Sequence, residues 1–251
     1  MFAGRTWWIV GASDGLGAEI ARRLDLEAAR LVLSARNAPG LETLAGQLSR
    51  ARAVPMDVTD PPSVTAGVAA AGPVDGLIYS VGQYDPMTAV DWNAEASVRV
   101  AEANFIGALR LLGHVTPEMA RRGQGHIALI GSLAGYVGLP GSIGYGASKG
   151  ALMHLAEDMR ADLRSTGVTV QRINPGFIRT RLTRKNSFRM PQIMTPETAA
   201  ARVTKALKSG RFSTSFPAPF SLFFLLGSLL PTPLLQRFFA ANGVHSSKDT
   251  V

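Results

Sequence analysis

The chain of 251 residues predicts a single α/β domain, a doubly wound parallel sheet with helices on both faces. Three observations predict this fold class. Short apolar runs alternate with helical patterns about six times along the chain. The run at 127–131 is strongly apolar, which is typical of a strand buried on both faces of a parallel sheet. A glycine-rich turn joins the first run to the first helical pattern, as in folds that bind a dinucleotide.

The first predicted strand covers residues 6–10, and the turn Gly-Ala-Ser-Asp-Gly-Leu-Gly follows at 11–17. A helical pattern then covers residues 18–24. Glycines at such a turn let the backbone approach a pyrophosphate, and the N-terminus of the helix stabilises its negative charge. Because this turn lies between a strand and a helix at the start of an α/β chain, it is a candidate dinucleotide site.

The second predicted strand, residues 31–34, bears on the choice of cofactor. An acidic residue at the end of this strand would bind the ribose 2′-hydroxyl of NAD(H), whereas a nearby arginine accommodates the 2′-phosphate of NADP(H). No acidic residue stands there and Arg36 does, so the sequence favours NADP(H). The alternatives are that Arg36 is only a solvated loop residue, and that the charge of Asp14 opposes a phosphate nearby.

Two further strands are predicted at residues 52–55 and 74–79, with a helix at 63–71 between them. Asp57 follows the third strand, where its carboxylate is placed either to accept a hydrogen bond from an adenine amino group or to start a turn before Asp60. The fourth strand ends in Ser-Val-Gly at 80–82, where glycine lets the backbone pass close to a cofactor.

A loop is predicted at residues 83–94 and a long helix at 95–121. This helix carries Asn104 in an apolar stretch, although asparagine is mildly unfavourable within a helix. The fifth strand covers 127–131 and leads to Ser132. The sixth covers 168–173 and leads into a Pro-Gly pair at 175–176.

The segment from Ser132 to Lys149 contains the candidate catalytic residues. Tyr145 and Lys149 are four residues apart in a helix predicted to continue to about residue 164, so they share one face. An ammonium beside a phenol favours the phenolate, which predicts a pKa for Tyr145 below the usual value of about 10. Each feature alone also has a structural explanation: Tyr-x-x-x-Lys occurs on ordinary helices, and a serine after a strand is often a helix cap.

The amino-acid composition limits the classes of function that the chain can have. The chain has no cysteine, so it has no disulfide and no thiolate metal site, which fits a reducing compartment and predicts a cytoplasmic protein. Its four histidines lack metal-ligand spacing. The net charge of +8 suits anionic ligands or membranes, but no basic run interleaved with aromatic residues indicates nucleic acid. The apolar run at the start is better explained as a strand than as a secretory leader.

With these motifs in order, the chain resembles the short-chain dehydrogenase/reductase family over about residues 6–208. The family's usual Asn-Ala-Gly is Ser-Val-Gly here, and the Thr at the head of its glycine motif is Val10. The resemblance implies a Rossmann-like domain over 1–216 and four catalytic residues, Asn104, Ser132, Tyr145 and Lys149. It also implies cofactor binding by Gly11, Ser13, Asp14, Gly15, Leu16, Gly17, Arg36, Asp57, Val58, Ser80, Val81, Gly82, Tyr145, Lys149, Pro175, Gly176, Ile178 and Thr180.

The resemblance also implies roles. Tyr145 is the acid in reduction and the base in oxidation, Lys149 lowers its pKa and binds the nicotinamide ribose, and Ser132 hydrogen-bonds the substrate oxygen. Asn104 kinks its helix and holds a water that links Lys149 to solvent. Residues 175–180 line the nicotinamide side, with Ile178 and Thr180 near the carboxamide.

Two regions are expected to carry specificity. Residues 182–196, with Arg184, Lys185 and Arg189, are predicted to form a mobile basic lid over the substrate. A seventh strand is predicted at 211–216, after which the apolar extension 217–251 departs from the family pattern. That extension is predicted to pack on the domain or on a partner subunit and to roof an apolar pocket. Peripheral membrane contact through 217–240 is the alternative.

The sequence therefore predicts an NADPH-dependent reductase or dehydrogenase that acts on a ketone, aldehyde or secondary alcohol with an apolar substrate chain. A homodimer or homotetramer is expected. One alternative is a 3-oxoacyl-carrier-protein reductase, in which Arg121 and Arg122 would face an acidic carrier; the other explanation of these arginines, which we favour, is a solvated helix end. The alternative from another class is a membrane-peripheral sensor or scaffold that binds NADP(H) without turnover.

Overall fold

The structure, a computed structural model, describes residues 1–241 of the chain. Within these residues, seven strands form one parallel sheet in the order β3-β2-β1-β4-β5-β6-β7. The strands are β1 Thr6–Val10, β2 Arg30–Ser34, β3 Ala51–Ala53, β4 Gly76–Tyr79, β5 Gly125–Ile130, β6 Val168–Pro175 and β7 Ser213–Phe216. The strand order reverses between β1 and β4, which is where open α/β sheets bind ligands at the carboxyl ends of their strands.

Helices cover both faces of this sheet. They are α1 Gly15–Leu26, α2 Ala38–Gly46, α3 Pro61–Ala71, α4 Ala94–Ala101, α5 Gly107–Arg121, α6 Ile143–Asp162, α7 Pro196–Ser209, α8 Phe220–Gly227 and α9 Thr232–Ala241. The sequence patterns had not predicted α2 or α7. Both begin at a side-chain cap, Asn37 for α2 and Thr195 for α7, with proline in the first turn.

Alternate residues of each central strand enter two separate apolar layers. Ile9 and Ile78 pack with α1, α2 and α7, while Trp8 and Leu77 pack with α3, α5 and α6. The near-continuous apolar composition of the strands follows from burial on both faces. The predicted doubly wound parallel sheet in a single domain is therefore confirmed.

The helix predicted over residues 95–121 is not continuous. A π-helical turn, Glu102–Ile106, separates α4 from α5 and contains Asn104. The hydroxyl of buried Tyr79 donates to the Ala103 carbonyl at 2.6 Å, which satisfies an acceptor of the widened turn. Burial raises the pKa of Tyr79 well above its usual value, so its hydroxyl keeps the proton that this bond needs.

The chain after β7 folds into the short helices α8 and α9, whereas residues 242–251 of the predicted extension, Lys248 among them, lie outside the described residues. The inner side of α8 packs on its own domain, where the ring of Phe220 stacks on Phe177 with centroids 5.7 Å apart. The added Cβ of a side chain at Gly227 would meet Leu235 at 3.3 Å, so α8 and α9 are closely packed. Neither helix, nor any other in the described part of the chain, is long and apolar enough to cross a membrane.

Candidate active site

A cleft of about 670 Å³ opens at the carboxyl ends of the strands, where the strand order reverses. Strand ends that are far apart in sequence meet here because all the strands run in the same direction. Every residue that the sequence assigned to the cofactor lines this cleft: Gly11, Ser13, Asp14, Gly15, Leu16, Gly17, Arg36, Asp57, Val58, Ser80, Val81, Gly82, Tyr145, Lys149, Pro175, Gly176, Ile178 and Thr180. Its position, at the carboxyl ends of the strands beside the reversal of strand order, is where such sheets bind a dinucleotide.

The glycine turn forms the floor of the cleft, and two of its glycines cannot be replaced without moving backbone. Gly11 has a φ of +90°, and an added Cβ would lie 2.8 Å from the carbonyl carbon of Ser80. An added Cβ at Gly17 would lie 2.1 Å from the Gly11 carbonyl oxygen. The turn thus brings backbone from β1, β4 and α1 to close approach, as pyrophosphate binding requires.

Asp14 has a structural role in this turn. Its carboxylate caps α1 by accepting from the backbone N–H of Gly15 at 2.7 Å, and it lies 3.7 Å from the Arg181 guanidinium. This charge pairing reduces the repulsion that Asp14 would exert on a phosphate. Arg181, which the sequence analysis had not singled out, also lines the cleft.

Arg36 lies at the end of β2, where the sequence placed the 2′-phosphate. Its side chain is exposed on the wall of the cleft between Ala35 and Asn37. Within residues 1–241, no hydrogen bond or ion pair occupies its guanidinium. Arg36 is therefore free to pair with an anion that enters this end of the cleft.

The opposite end of the cleft is bounded by residues 175–183. Thr180 closes over the glycine turn, since its Cγ2 atom would lie 3.1 Å from a Cβ added at Gly15.

Asp57 follows the third strand, where one carboxylate oxygen accepts from both the N–H and the hydroxyl of Thr59 at 2.9 and 2.7 Å. The turn-forming alternative for Asp57 is thus realised, while the residue still lines the cleft.

Tyr145 and Lys149 line the cleft, and Ser132 lies beside Tyr145 in the wall of an adjoining cavity. Lys149 is 3% exposed, and its ammonium donates to the carbonyls of Ile130 and Val81 at 2.9 and 3.1 Å. The Ser132 hydroxyl accepts from the N–H of Ala134 at 3.1 Å, so the helix-cap alternative also applies. A serine hydroxyl that accepts one bond still has its proton to donate.

The pKa of Tyr145 moves opposite to the sequence prediction. Burial raises the pKa of Tyr145, and the hydrogen bond from Ser132 offsets this only in part. Burial also lowers the pKa of Lys149 to about 8, because its ammonium has lost bulk water. The sequence prediction attributed the pKa of Tyr145 to the charge of Lys149. In the structure, the largest cause of the shift is desolvation of the phenol.

Asn104 is fully buried, and its carboxamide bonds to protein atoms. Its oxygen accepts from the N–H of Gln83 at 2.7 Å, and its nitrogen donates to the Gln83 carbonyl at 2.9 Å and to the Ser148 hydroxyl at 3.0 Å. Both N–H bonds of the amide are therefore used. Asn104 fixes the loop after β4, whose Val81 carbonyl binds Lys149, to the helix that carries Tyr145.

A second cavity of about 320 Å³ adjoins the cleft and is mostly apolar. It is lined by residues around Tyr145, by the segment 182–191 and by the inner side of α8 and α9. Aromatic side chains dominate it: Tyr84, Phe177, Phe188, Phe220, Phe223, Phe224 and Phe239. The prediction that the extension roofs an apolar pocket is confirmed for these residues.

Tyr145, Gly176, Leu182 and Thr183 line both cavities, so the phenol stands where they meet. Ser132 lines the second cavity. In the predicted lid, Arg189 lines that cavity, Arg184 is exposed, and Lys185 pairs with Asp85 across the opening. The hydroxyls of Ser132 and Tyr145 are therefore polar groups in the wall of an otherwise apolar cavity.

Sequence reasoning missed Tyr84, whose ring packs edge-on against Tyr145 with centroids 5.2 Å apart. Burial, with a smaller contribution from Tyr145, raises the pKa of Tyr84 to about 12. No local pattern marks this residue, because it lies in a loop that reaches Tyr145 only in the folded protein. Within residues 1–241, no group of acidic or histidine side chains has the arrangement of a metal site.

Comparison with known proteins adds the family. The profile of the short chain dehydrogenase family matches residues 5–190. An "uncharacterized oxidoreductase" of Myxococcus xanthus is 33% identical over 240 residues, covering 92% of this chain and 95% of its own. The ketoacyl reductase HetN of Nostoc is 33% identical over 218 residues, covering 82% and 76%.

A solved short chain dehydrogenase from Burkholderia cenocepacia J2315, in complex with NADP, superposes with a TM-score of 0.84 at 25% identity, covering 95% of this chain and 99% of that chain. The match spans the sheet, the glycine turn and the helix that carries Tyr145. With the profile match and these relatives, the chain belongs to the short-chain dehydrogenase/reductase family of NAD(P)-dependent oxidoreductases.

Proposed function

We propose that this protein is an NADPH-dependent reductase of a ketone or aldehyde that carries an apolar chain, or a dehydrogenase of the matching secondary alcohol. One observation carries the proposal: Tyr145 lies in the wall shared by a dinucleotide-sized cleft and an apolar cavity. A carbonyl carbon held there faces the cleft, and its oxygen faces the hydroxyls of Tyr145 and Ser132. Bound in the cleft, NADPH supplies the hydride for that carbon.

The residues of the chain supply the proton and the orientation. Tyr145 donates its phenolic proton to the carbonyl oxygen in reduction and accepts one in oxidation. Ser132 donates a hydrogen bond that orients the same oxygen. Lys149 supplies positive charge behind the phenol, since the carbonyls of Val81 and Ile130 hold its ammonium in place. This charge stabilises the phenolate that forms when the proton leaves.

Asn104 acts as a positioning residue in this proposal. Its carboxamide holds Gln83 and Ser148, and the loop before Gln83 supplies the Val81 carbonyl that binds Lys149. The water that the family resemblance assigns to Asn104 is not needed for this effect. Residue 104 thereby influences the reaction through the placement of Lys149.

The apolar cavity predicts a preference for longer substrates. In a series of linear 2-ketones, kcat/KM should rise by about fourfold per added methylene until the cavity is filled, because each buried methylene adds about 0.8 kcal/mol. The variant Phe224→Ala removes a ring that is 5% exposed in the cavity wall and should flatten this rise.

The matched control is Phe2→Ala, because Phe2 is equally buried but packs on Trp7, away from the cavity. It should lose stability yet keep the same dependence on chain length. A rate that is independent of chain length in the wild type would show that the cavity does not hold the substrate.

The pKa of Lys149 predicts a pH dependence. Below about pH 8 the buried ammonium is charged, and above that pH it becomes neutral, while Tyr145 keeps its proton because its pKa is raised. The value of kcat/KM for NADPH in the reductive direction should thus be level below about pH 8 and fall by about tenfold per unit above it. Steady-state rates between neutral and alkaline pH measure this.

Lys149→Arg is the control, because arginine keeps its charge throughout this range. The decline near pH 8 should disappear in any activity that this variant retains. A decline that persists unchanged would assign the titration to another group.

A 3-oxoacyl-carrier-protein reductase is the second candidate, favoured by the similarity to the ketoacyl reductase HetN. The arginines proposed to meet an acidic carrier are engaged within the chain: Arg121 pairs with Glu118, and Arg122 donates to the Val74 carbonyl at 2.7 Å. This candidate predicts a much higher kcat/KM for a carrier-bound 3-oxoacyl thioester than for the free ketone. Equal values would rule out use of the carrier.

A sensor that binds NADP(H) without turnover needs no proton donor at the end of the cleft, and the assembled hydroxyls argue against it. A homodimer or homotetramer in a cytoplasmic setting remains our proposal for the state of the protein. Val98 and Leu109, which are 59% and 40% exposed near the junction of α4 and α5, offer apolar surface to a second copy.

A further inference from the structure

Five leucines on α8, α9 and the turn between them form an exposed apolar surface, here named the leucine patch: Leu222, Leu226, Leu229, Leu230 and Leu234. Their exposed fractions lie between 51% and 80%. Leu222 and Leu226 are one helical turn apart and point away from the buried residues Ser221 and Phe224. An exposed apolar surface of this kind marks a site of contact with another protein or with a membrane.

The composition of α8 requires an apolar environment on both sides. From Phe212 to Gln236 the chain contains no charged residue, and α8 has no polar face. A helix that is apolar all round is stable only when it is buried in protein or lies against lipid. The domain covers the inner side, where Phe220, Phe223 and Phe224 line the apolar cavity, and the part of the chain that the structure describes leaves the outer side exposed.

The charge of the protein is concentrated in the part of the chain that carries this patch. Residues 163–241 contain twelve Lys or Arg and one Asp or Glu, whereas residues 1–162 contain thirteen and sixteen. Arg237 is exposed three residues after Leu234 on α9, and Arg189 lies in the cavity wall beside the rings of α8. One exposed arginine, Arg237, thus stands at the α9 end of the patch.

We propose that the leucine patch docks α8 and α9 in the surface of an anionic lipid bilayer. A second copy of the chain fits this face poorly, because pairing the face with itself would bring two copies of Arg237 together, and residues 212–236 offer no acidic partner. The helices have eight and ten residues, too few to span a bilayer but enough to lie in the plane of its interface. The exposed guanidinium of Arg237 then meets the anionic headgroups.

Docking in this way explains why the cavity is roofed by the same helix. The inner side of α8 lines the cavity and its outer side carries the patch, so a single helix separates the cavity from the bilayer. An apolar carbonyl substrate dissolved in lipid would reach Tyr145 without crossing water. This last step rests on the proposed function, whereas the docking itself does not.

Vesicle flotation of the full chain tests the proposal. The protein should float with vesicles of phosphatidylcholine and phosphatidylglycerol, and less with phosphatidylcholine alone. The double variant Leu229→Gln/Leu230→Gln should lose about tenfold or more of its partition coefficient, because two apolar side chains no longer enter the lipid. Arg237→Gln should lose about fivefold on the anionic vesicles and little on the neutral ones.

The matched control is Leu26→Gln/Val90→Gln, which removes two side chains that are 81% and 92% exposed elsewhere on the surface. It should float like the wild type. Absence of flotation by the wild type, or equal flotation of the two double variants, would overturn the proposal. A dimer that the Leu229→Gln/Leu230→Gln change dissociates, seen by sedimentation velocity without flotation, would overturn it too by giving the patch to a second copy.

Turnover of a short, water-soluble ketone without vesicles separates this proposal from the proposed function. The Leu229→Gln/Leu230→Gln variant should keep that activity, since neither residue lines the cavity. Loss of vesicle binding with the activity intact supports docking by the patch. If neither the wild type nor any variant turns over the ketone, the reductase assignment fails. Flotation still tests whether the leucine patch docks on lipid.

Discussion

Tyr145→Phe should lower the reductive turnover of NADPH with an accepted ketone by about 10²–10⁴-fold, the usual contribution of general acid catalysis. The change removes the hydroxyl that faces Ser132 and leaves the ring that packs on Tyr84 and lines both cavities. The binding of NADPH should therefore survive, with turnover followed by the oxidation of NADPH and binding by the quenching of protein fluorescence.

Tyr84→Phe is the matched control, because Tyr84 lies against Tyr145 in the same cavity and its pKa is also raised by burial. Its hydroxyl has no part in the proposed proton transfer, so the variant should keep most of its activity. Near-full turnover by Tyr145→Phe, or an equal loss in both variants, would remove Tyr145 from the role of acid.

Arg36→Ala should weaken the binding of NADPH by about ten- to a hundredfold and leave NADH nearly unchanged. The expected contact is a charge-assisted hydrogen bond between the guanidinium and the 2′-phosphate, worth about 1.5–3 kcal/mol. Arg36 suits it because the side chain is exposed on the cleft wall and has no partner within residues 1–241. Titrations of both cofactors, followed by fluorescence or calorimetry, measure the difference.

Arg50→Ala serves as the control for general charge, since Arg50 is exposed but does not line the cleft. It should leave both affinities in place. Equal weakening of NADPH and NADH by Arg36→Ala would make the residue structural, and a wild type that prefers NADH would contradict our interpretation of the end of β2.

The sequence was sufficient to group the residues that line this cleft, because the cleft is made of local motifs at strand ends. The central strands β1, β2, β4 and β5 were visible as apolar runs, and a parallel sheet places the residues that follow its strands at one edge. Gly11 and Gly17 illustrate the physical cause, since any side chain at either position would collide with backbone of a neighbouring segment. Such constraints leave a direct mark in the sequence.

The rest of the site depends on tertiary contacts that no local pattern encodes. The π turn around Asn104 depends on the bonds of Tyr79, Gln83 and Ser148, which come from other elements. The raised pKa of Tyr145 follows from burial, which is a property of the assembled cavity. The α8 extension looked suited to burial from its composition, but only the structure separates its covered side from its exposed leucines.

The most direct test of the account is a matched count of NADPH consumed and alcohol formed by the wild-type protein across a series of 2-ketones of increasing length. We expect one alcohol for each NADPH, with kcat/KM rising along the series, because hydride and proton are delivered where the cleft and the apolar cavity meet. Tight binding of NADPH with no alcohol from any ketone, aldehyde or carrier-bound thioester would contradict it and favour a cofactor sensor.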